Sequence, residues 1–255
     1  MLTNYHTHTY RCKHATGTDE EYVRAAVDAG FSVLGFSDHA PFYYPNGFVS
    51  HYKMTPGELP EYVGSVLSLK EKYKSEIDVR LGLEVEYYPE LWDRALELWE
   101  TCGIEYIILG QHYVGKEYLD ARRTIKPSDD DTLCEYVRLC TAAMKTGKIS
   151  YLAHPDVINH VGNESLWTRE MTRLIECAME YDVPLEFNLL GLFEGRNYPT
   201  DRFWRLAGQL NPKTVIGNDA HTPKSFLRAD TRRTALDVLE GYGLRPQETL
   251  EFKRI

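Results

Sequence analysis

Residues 4–40 read NYHTHTYRCKHATGTDEEYVRAAVDAGFSVLGFSDHA. This one stretch contains a complete structural unit. NYHTHT (4–9) reads as a strand, and SVLGFS (32–37) is a short apolar run of strand type. Between them, TDEEYVRAAVDAG has the marks of a helix. Thr18 can cap it, and Glu21 three residues later completes a capping box. Val23, Ala26 and Val27 supply an apolar stripe, and Gly30 suits the stop.

The same alternation continues to the end of the chain. Further strand-like runs are DVRLGLEV (78–85), YIILG (106–110), ISYLA (149–153), PLEFNLL (184–190) and TVIGN (214–218). Helical patterns lie between and after them, at 58–73, 90–103, 128–147, 168–181, 200–210 and 230–243. In the 128–147 stretch Ser128 or Asp129 is the expected N-cap. Seven strand–helix units predict parallel β/α winding, with a closed or an open sheet equally compatible.

The polar residues gather at the C-terminal ends of these runs. The first ends in His6 and His8, the second in Asp38 and His39, and the third carries Glu84 and Glu86. His112 follows the fourth, His154 and Asp156 the fifth. Glu186 and Asn188 end the sixth, and Asp219 and His221 follow the seventh. In a parallel β/α barrel these ends share one face, which holds the active site. Side chains alternate along a strand, so His6 and His8 point to one side and can chelate one ion together. Imidazole with carboxylate favours divalent zinc, iron or manganese. Cysteine is absent from the pattern, which argues for an open catalytic site rather than a closed structural one. His51 and His160 lie away from the strand ends and are expected not to be ligands.

The chain has 255 residues and a net charge of −9. Nucleic acid is therefore not the expected partner, because phosphate neutralisation needs clustered Lys and Arg. The five cysteines form no CxxC pair and suit a reducing compartment. No apolar run is long enough for a membrane span, and the first residues lack a signal-peptide core. The expectation is a cytoplasmic protein. Cys12 reads as a packing residue.

The set HTH…H, SDHA, GLE, QH, AHPD and NDAH resembles the PHP (polymerase and histidinol phosphatase) superfamily. The likeness runs from Tyr5 to about Ser225, with the motifs in the family order. Within it, the chain is most similar to the monofunctional histidinol-phosphate phosphatases. CKHATGTDEEYV, SDHAPF and LKEKYKSEIDVRLGLEVEYYP carry that narrower likeness. The resemblance implies a single domain over 1–255, a distorted (β/α)7 barrel of the TIM-like PHP fold, with a trinuclear centre of zinc, manganese or iron. It implies His6, His8, Glu84 and Asp219 on the first metal. Glu84 would bridge to a second metal, completed by His112 and His154, and His14, His39 and His221 would hold the third. The Gly-x-Glu spacing of Gly82-Leu83-Glu84 selects Glu84, leaving Glu86 behind the ligands or facing substrate.

The implied reaction is hydrolysis of L-histidinol phosphate by a metal-bridging hydroxide, in histidine biosynthesis. Asp38 would back a ligand histidine rather than act as the acid. Tyr43, Tyr44 and Glu86 would meet the substrate, and 40–57 would serve as a lid. Similar phosphatases have an Arg shortly after AHPD; here Asn159 and His160 stand there, and Arg196 is the candidate replacement. Another small phosphomonoester, a nucleotide phosphodiester or phosphotyrosine are the alternative substrates. A non-catalytic module is disfavoured, because all nine ligand positions hold suitable residues.

Overall fold

The computed structural model describes residues 1–255. In chain order the first elements are β1 (Thr3–Asn4), α1 (Asp19–Asp28), β2 (Val33–His39), α2 (Leu59–Lys72), β3 (Asp78–Val85), α3 (Trp92–Thr101) and β4 (Tyr106–Leu109). A small antiparallel hairpin follows, β5 (Tyr113–Val114) with β6 (Arg122–Arg123), then α4 (Asp130–Lys145) and β7 (Ile149–Leu152). The rest is α5 (Glu164–Glu180), β8 (Leu185–Asn188), α6 (Leu189–Glu194), α7 (Asp201–Leu210), β9 (Thr214–Gly217) and α8 (Ala229–Gly241).

Seven strands form one parallel sheet in the order β1-β2-β3-β4-β7-β8-β9. They correspond to the seven apolar runs. The sheet curls until its edges meet. Thr7 bridges to Ala220, His8 N donates to Ala220 O (2.9 Å) and Ala220 N donates to His6 O (3.1 Å). This contact resolves the open-or-closed choice in favour of a nearly closed (β/α)7 barrel.

The local signals fold as their chemistry demands. Thr18 and Glu21 form the capping box of α1, and Asp129 caps α4. Ser128 instead gives its hydroxyl to Asn159 O at 3.1 Å. Three boundaries differ from expectation. β1 is two residues rather than six, because the Asn4 amide intercepts the ladder, donating to His6 O and Thr7 Oγ1. The 184–190 run stops at Asn188, whose side chain accepts from Gly191 N and starts α6. α5 begins at Glu164 rather than residue 168, because Asn163 caps it through Leu166 N.

The barrel interior is a packed plug, as in other β/α barrels. Tyr5, Tyr106, Ile108, Tyr151, Ala153 and Val215 fill it. The Tyr106 hydroxyl lies 2.9 Å from Tyr5 O and 3.0 Å from Phe36 O. The tail after α8 closes the floor. Gln247 N donates to Thr214 O, Phe252 stacks on Tyr106 at 4.4 Å between centroids, and Lys253 N donates to Ser150 Oγ. With the floor sealed, only the opposite face, at the C-terminal strand ends, opens to solvent.

Candidate metal centre

The β2–β3 register sets His39 beside Glu84, and Glu84 in turn faces Ile108 of β4. His112, His154, Asp219 and His221 follow directly on β4, β7 and β9, while His14 comes from the loop before α1. All nine expected residues converge on the floor of one cavity of about 310 Å³ or lie directly beneath it.

Glu84 is the hub. Its Oε1 lies 3.0 Å from His154 Nε2, 3.4 Å from His6 Nε2 and 3.6 Å from His112 Nε2. Its Oε2 lies 3.0 Å from His39 Nδ1 and 3.5 Å from His8 Nε2. Asp219 Oδ1 sits 3.2 Å from His8 Nε2 and 3.5 Å from His6 Nε2. His14 and His221 present their Nε2 atoms to each other at 3.1 Å. Donor atoms of His6, Glu84 and His154, of His6, His8 and Asp219, and of His14, His39 and His221 each fall within 4.8 Å of one another.

The outer nitrogens of these imidazoles are held in place. His6 Nδ1 bonds Glu186 (2.7 Å), His112 Nδ1 bonds Glu86 (3.2 Å) and His8 Nδ1 faces Asp38 (3.4 Å). His14 and His221 use Nδ1 on the carbonyls of Cys12 and Asp219. Such partners fix the tautomer and aim the other nitrogen at an ion. Asn188 Nδ2 ties Glu186 to Asp219. Two glycines leave room for the carboxylates: a Cβ on Gly110 would overlap Glu84, and one on Gly217 would overlap Glu186. His154 (φ 29°) and Asp219 (φ 48°) sit in the left-handed region, a strained geometry for non-glycine residues.

Charge in the cluster is strongly perturbed. Burial pushes His6 down, but Glu186, Asp219 and Glu84 hold it well above its usual range. His8 is likewise opposed by burial and lifted to about 9 by Asp219, Asp38 and Glu84. Burial, then the charges of His221 and His8, drive His14 down to about 4. Burial opposes ionisation of Glu84 and Asp219, yet the surrounding imidazoles keep both well below the ordinary carboxylate range.

The residues fit divalent ions. His6 Nε2, His8 Nε2 and Glu84 Oε2 are buried without a hydrogen-bond partner, and both nitrogens point at the Glu84 carboxylate. Unpaired buried polar atoms are costly, and seven imidazoles with two carboxylates form a donor set for zinc, iron or manganese. Protons and ions would compete for the same atoms. Glu186→Gln is expected to weaken metal binding about 10–100-fold while the protein stays folded, read by chelator titration. Unchanged affinity would remove Glu186 from the support of His6.

The substrate contacts expected from sequence are partly redrawn. Arg196 does line the cavity, its Nη1 donating to Tyr198 Oη (2.9 Å) and its Nε to Glu194 (2.8 Å). Tyr43 does not: 40% exposed, it lies under the Arg94 guanidinium at 4.0 Å, because Phe42 takes the inward slot against Trp99. Tyr44 also misses the cavity and donates to Glu117. Tyr52, Lys53, Arg123 and Tyr198 take the wall places instead. Glu86 is on the wall but not free, since the Lys53 ammonium lies 2.6 Å away. The 40–57 segment is thus pinned as a wall, through Lys53 to Glu86 and Glu117. Asp38 is fully buried behind His8, accepting from Thr9 N and Oγ1. Cys12 lies close to His8 and His221, but burial and Asp38 push its thiol up, so it stays protonated. His160 turns away to Asp130 (2.7 Å), and His51 is exposed outside the cavity.

Comparison with known proteins places these observations. The family model described as the PHP domain matches residues 4–189. A Deinococcus radiodurans protein named a probable histidinol-phosphatase is 29% identical over 245 residues, covering 93% of this chain and 94% of the relative. The histidinol-phosphatase of Bacillus subtilis is 25% identical over 251 residues, covering 85% and 92%. Among solved structures, the histidinol phosphate phosphatase of Lactococcus lactis, complexed with zinc, L-histidinol and phosphate, aligns with a TM-score of 0.73. That alignment covers 98% of both chains at 16% identity and speaks for the fold.

Proposed function

The chain belongs to the PHP domain family and is a metal-dependent phosphatase, and we propose that its substrate is L-histidinol phosphate, cleaved to L-histidinol and phosphate. The observation that carries this reading is one cavity with the imidazole–carboxylate cluster at its floor and Arg196 on its wall. The names of the relatives supply the substrate.

Three divalent ions are assigned to the nine residues. His6, His8, Glu84 and Asp219 would hold one; Glu84, His112 and His154 would hold another; His14, His39 and His221 would hold the third. Bound there, such ions supply Lewis acidity toward phosphate oxygens and a water acidic enough to ionise at neutral pH.

The chain's own residues bind, orient and shield. Arg196 presents a planar fork that matches phosphate, and Tyr198 and Glu194 fix its direction. Arg123 adds a second guanidinium to the wall. Asp38 acts as a positioning residue, since its oxygens face His8 and Thr9 rather than the open cavity. The two wall carboxylates outside the metal-ligand set are both paired, Glu86 with Lys53 and Glu194 with Arg196. Val157, Ile125 and Leu190 keep part of the wall apolar and limit water around the substrate.

The test is phosphate release from L-histidinol phosphate by metal-loaded protein, beside a panel of other phosphomonoesters and phosphotyrosine. The expected preference in kcat/KM is about 10³-fold or more, because a site built to pair polar substrate groups rejects analogues that lack them. Slow, equal turnover across the panel would reject the assigned substrate. Arg196→Ala is expected to raise KM about tenfold with a smaller change in kcat. An unchanged KM would remove Arg196 from the phosphate site.

A further inference from the structure

A second, half-open hollow of about 220 Å³ lies beside the 218–228 loop and shares no lining residue with the metal cavity. The end of α1, the start of α8 and that loop form its walls. Leu2, Phe31, Leu189, Phe226 and Leu236 make much of the lining apolar. Against them stand three arginines, Arg228, Arg232 and Arg233, and no carboxylate lines the hollow.

The three arginines differ in their pairing. Arg233 is engaged by Asp230 at 2.6 Å. Arg228 and Arg232 make no ion pair, and the Nη1 of each is buried without a hydrogen-bond partner. The Arg228 guanidinium rests on the Phe193 ring, 3.7 Å from its centroid. Ser225, only 3% exposed, also lines the hollow, and its Oγ is buried and unpartnered. Ala229, the first residue of α8, borders the same space, and that helix has no side-chain cap for its first amides. Buried donors without acceptors are destabilising, and guanidinium donors more so than neutral ones. Here three such residues border one space that no carboxylate lines, with the Asn218 Oδ1 as its one unpartnered acceptor.

We infer that this hollow is a binding site for a small organic anion with an apolar body, of the monocarboxylate class. The carboxylate takes the forked donors of Arg228 and Arg232 and the Ser225 hydroxyl. The hydrocarbon part lies against Phe31, Phe226 and Leu236. An inorganic anion would leave that apolar wall unused. The site is separate from the catalytic cavity, yet it shares the loop that presents Asp219 and His221.

The experiment is calorimetric titration of the metal-loaded protein with 3-phenylpropionate and with 4-methylpentanoate. Inorganic phosphate is kept saturating throughout, so that the metal centre is blocked to carboxylates. Saturable binding at one site per chain is expected. Arg232→Met keeps an unbranched stem but removes the guanidinium and is expected to weaken it about tenfold or more, and 3-phenylpropanol is expected to bind as poorly to the wild type. Ala229→Leu keeps every guanidinium but fills the hollow, and is expected to abolish binding. Both variants should retain phosphatase activity within about twofold, which also reports that they fold. Absence of saturable binding of either acid, or equal affinity in Arg232→Met, would overturn the assignment.

Discussion

Glu84→Gln abolishes nearly all activity, with kcat expected to fall about 10³-fold or more. The reason is geometric. One carboxylate that is 1% exposed reaches five imidazoles, from His6, His8, His39, His112 and His154. Glutamine keeps the shape but loses the charge, and its amide turns donor hydrogens toward nitrogens that need an acceptor or an ion. Metal analysis of the purified variant should show at least one ion fewer per chain, with circular dichroism unchanged. Full metal content with activity within about tenfold of wild type would refute the bridging role of Glu84.

Lys53→Met is the second large effect, and it concerns stability first. Lys53 is 1% exposed, lies 2.6 Å from Glu86 and pairs with Glu117. Removing it strands two carboxylates inside the protein, at an expected cost of about 3–5 kcal/mol. Urea unfolding at neutral pH measures this. The pH dependence carries the sign. Burial raises Glu117, but Lys53, Ser50 and Tyr44 more than offset it, so its folded-state value lies below the ordinary one. The stability from that group is therefore present above the unfolded carboxylate value and is lost as pH falls through the folded one. The gap between wild type and variant should narrow on acidification from pH 7, as the stranded carboxylates take up protons. A gap that stayed constant would show that lost packing, rather than lost charge, dominates. Because Glu86 also backs His112, the variant's activity should fall even where it remains folded.

The sequence revealed much of this arrangement, for a physical reason. A parallel barrel repeats one unit, so strands and helices recur at a spacing the eye can follow. Its chemistry collects at the strand ends, where a histidine or a carboxylate stands out against apolar runs. His6, His39, Glu84, His154 and Asp219 were visible on those grounds. What stayed hidden depends on contacts that no local pattern encodes. Glu186 supports His6 across 180 residues of chain, which only the closed barrel brings about. Lys53 looks like any solvated lysine until Glu86 and Glu117 are folded around it. The β5–β6 hairpin, two residues per strand, has too little alternation to be read. Tyr43 and Tyr52 sit in a loop without period, so only packing decides that the second one faces the cavity. The missing arginine after AHPD was legible as an absence; Arg123, on β6, was not legible as a wall residue.

The sealed floor bears on how the protein emerges from the ribosome. Tyr5, near the start, packs edge-on against Phe252, near the end, and its hydroxyl accepts from Leu250 N across 245 residues. The Thr7–Ala220 seam cannot form before Ala220 has left the exit tunnel, nor the floor before Phe252 has. Until residues 220–252 have emerged, the nascent barrel keeps an unzipped parallel edge and an uncovered aromatic plug. Contacts so distant in the chain form slowly, and such an intermediate is prone to aggregate. Demand for chaperones should therefore persist until the 247–253 segment is free to pack against Tyr5 and Tyr106.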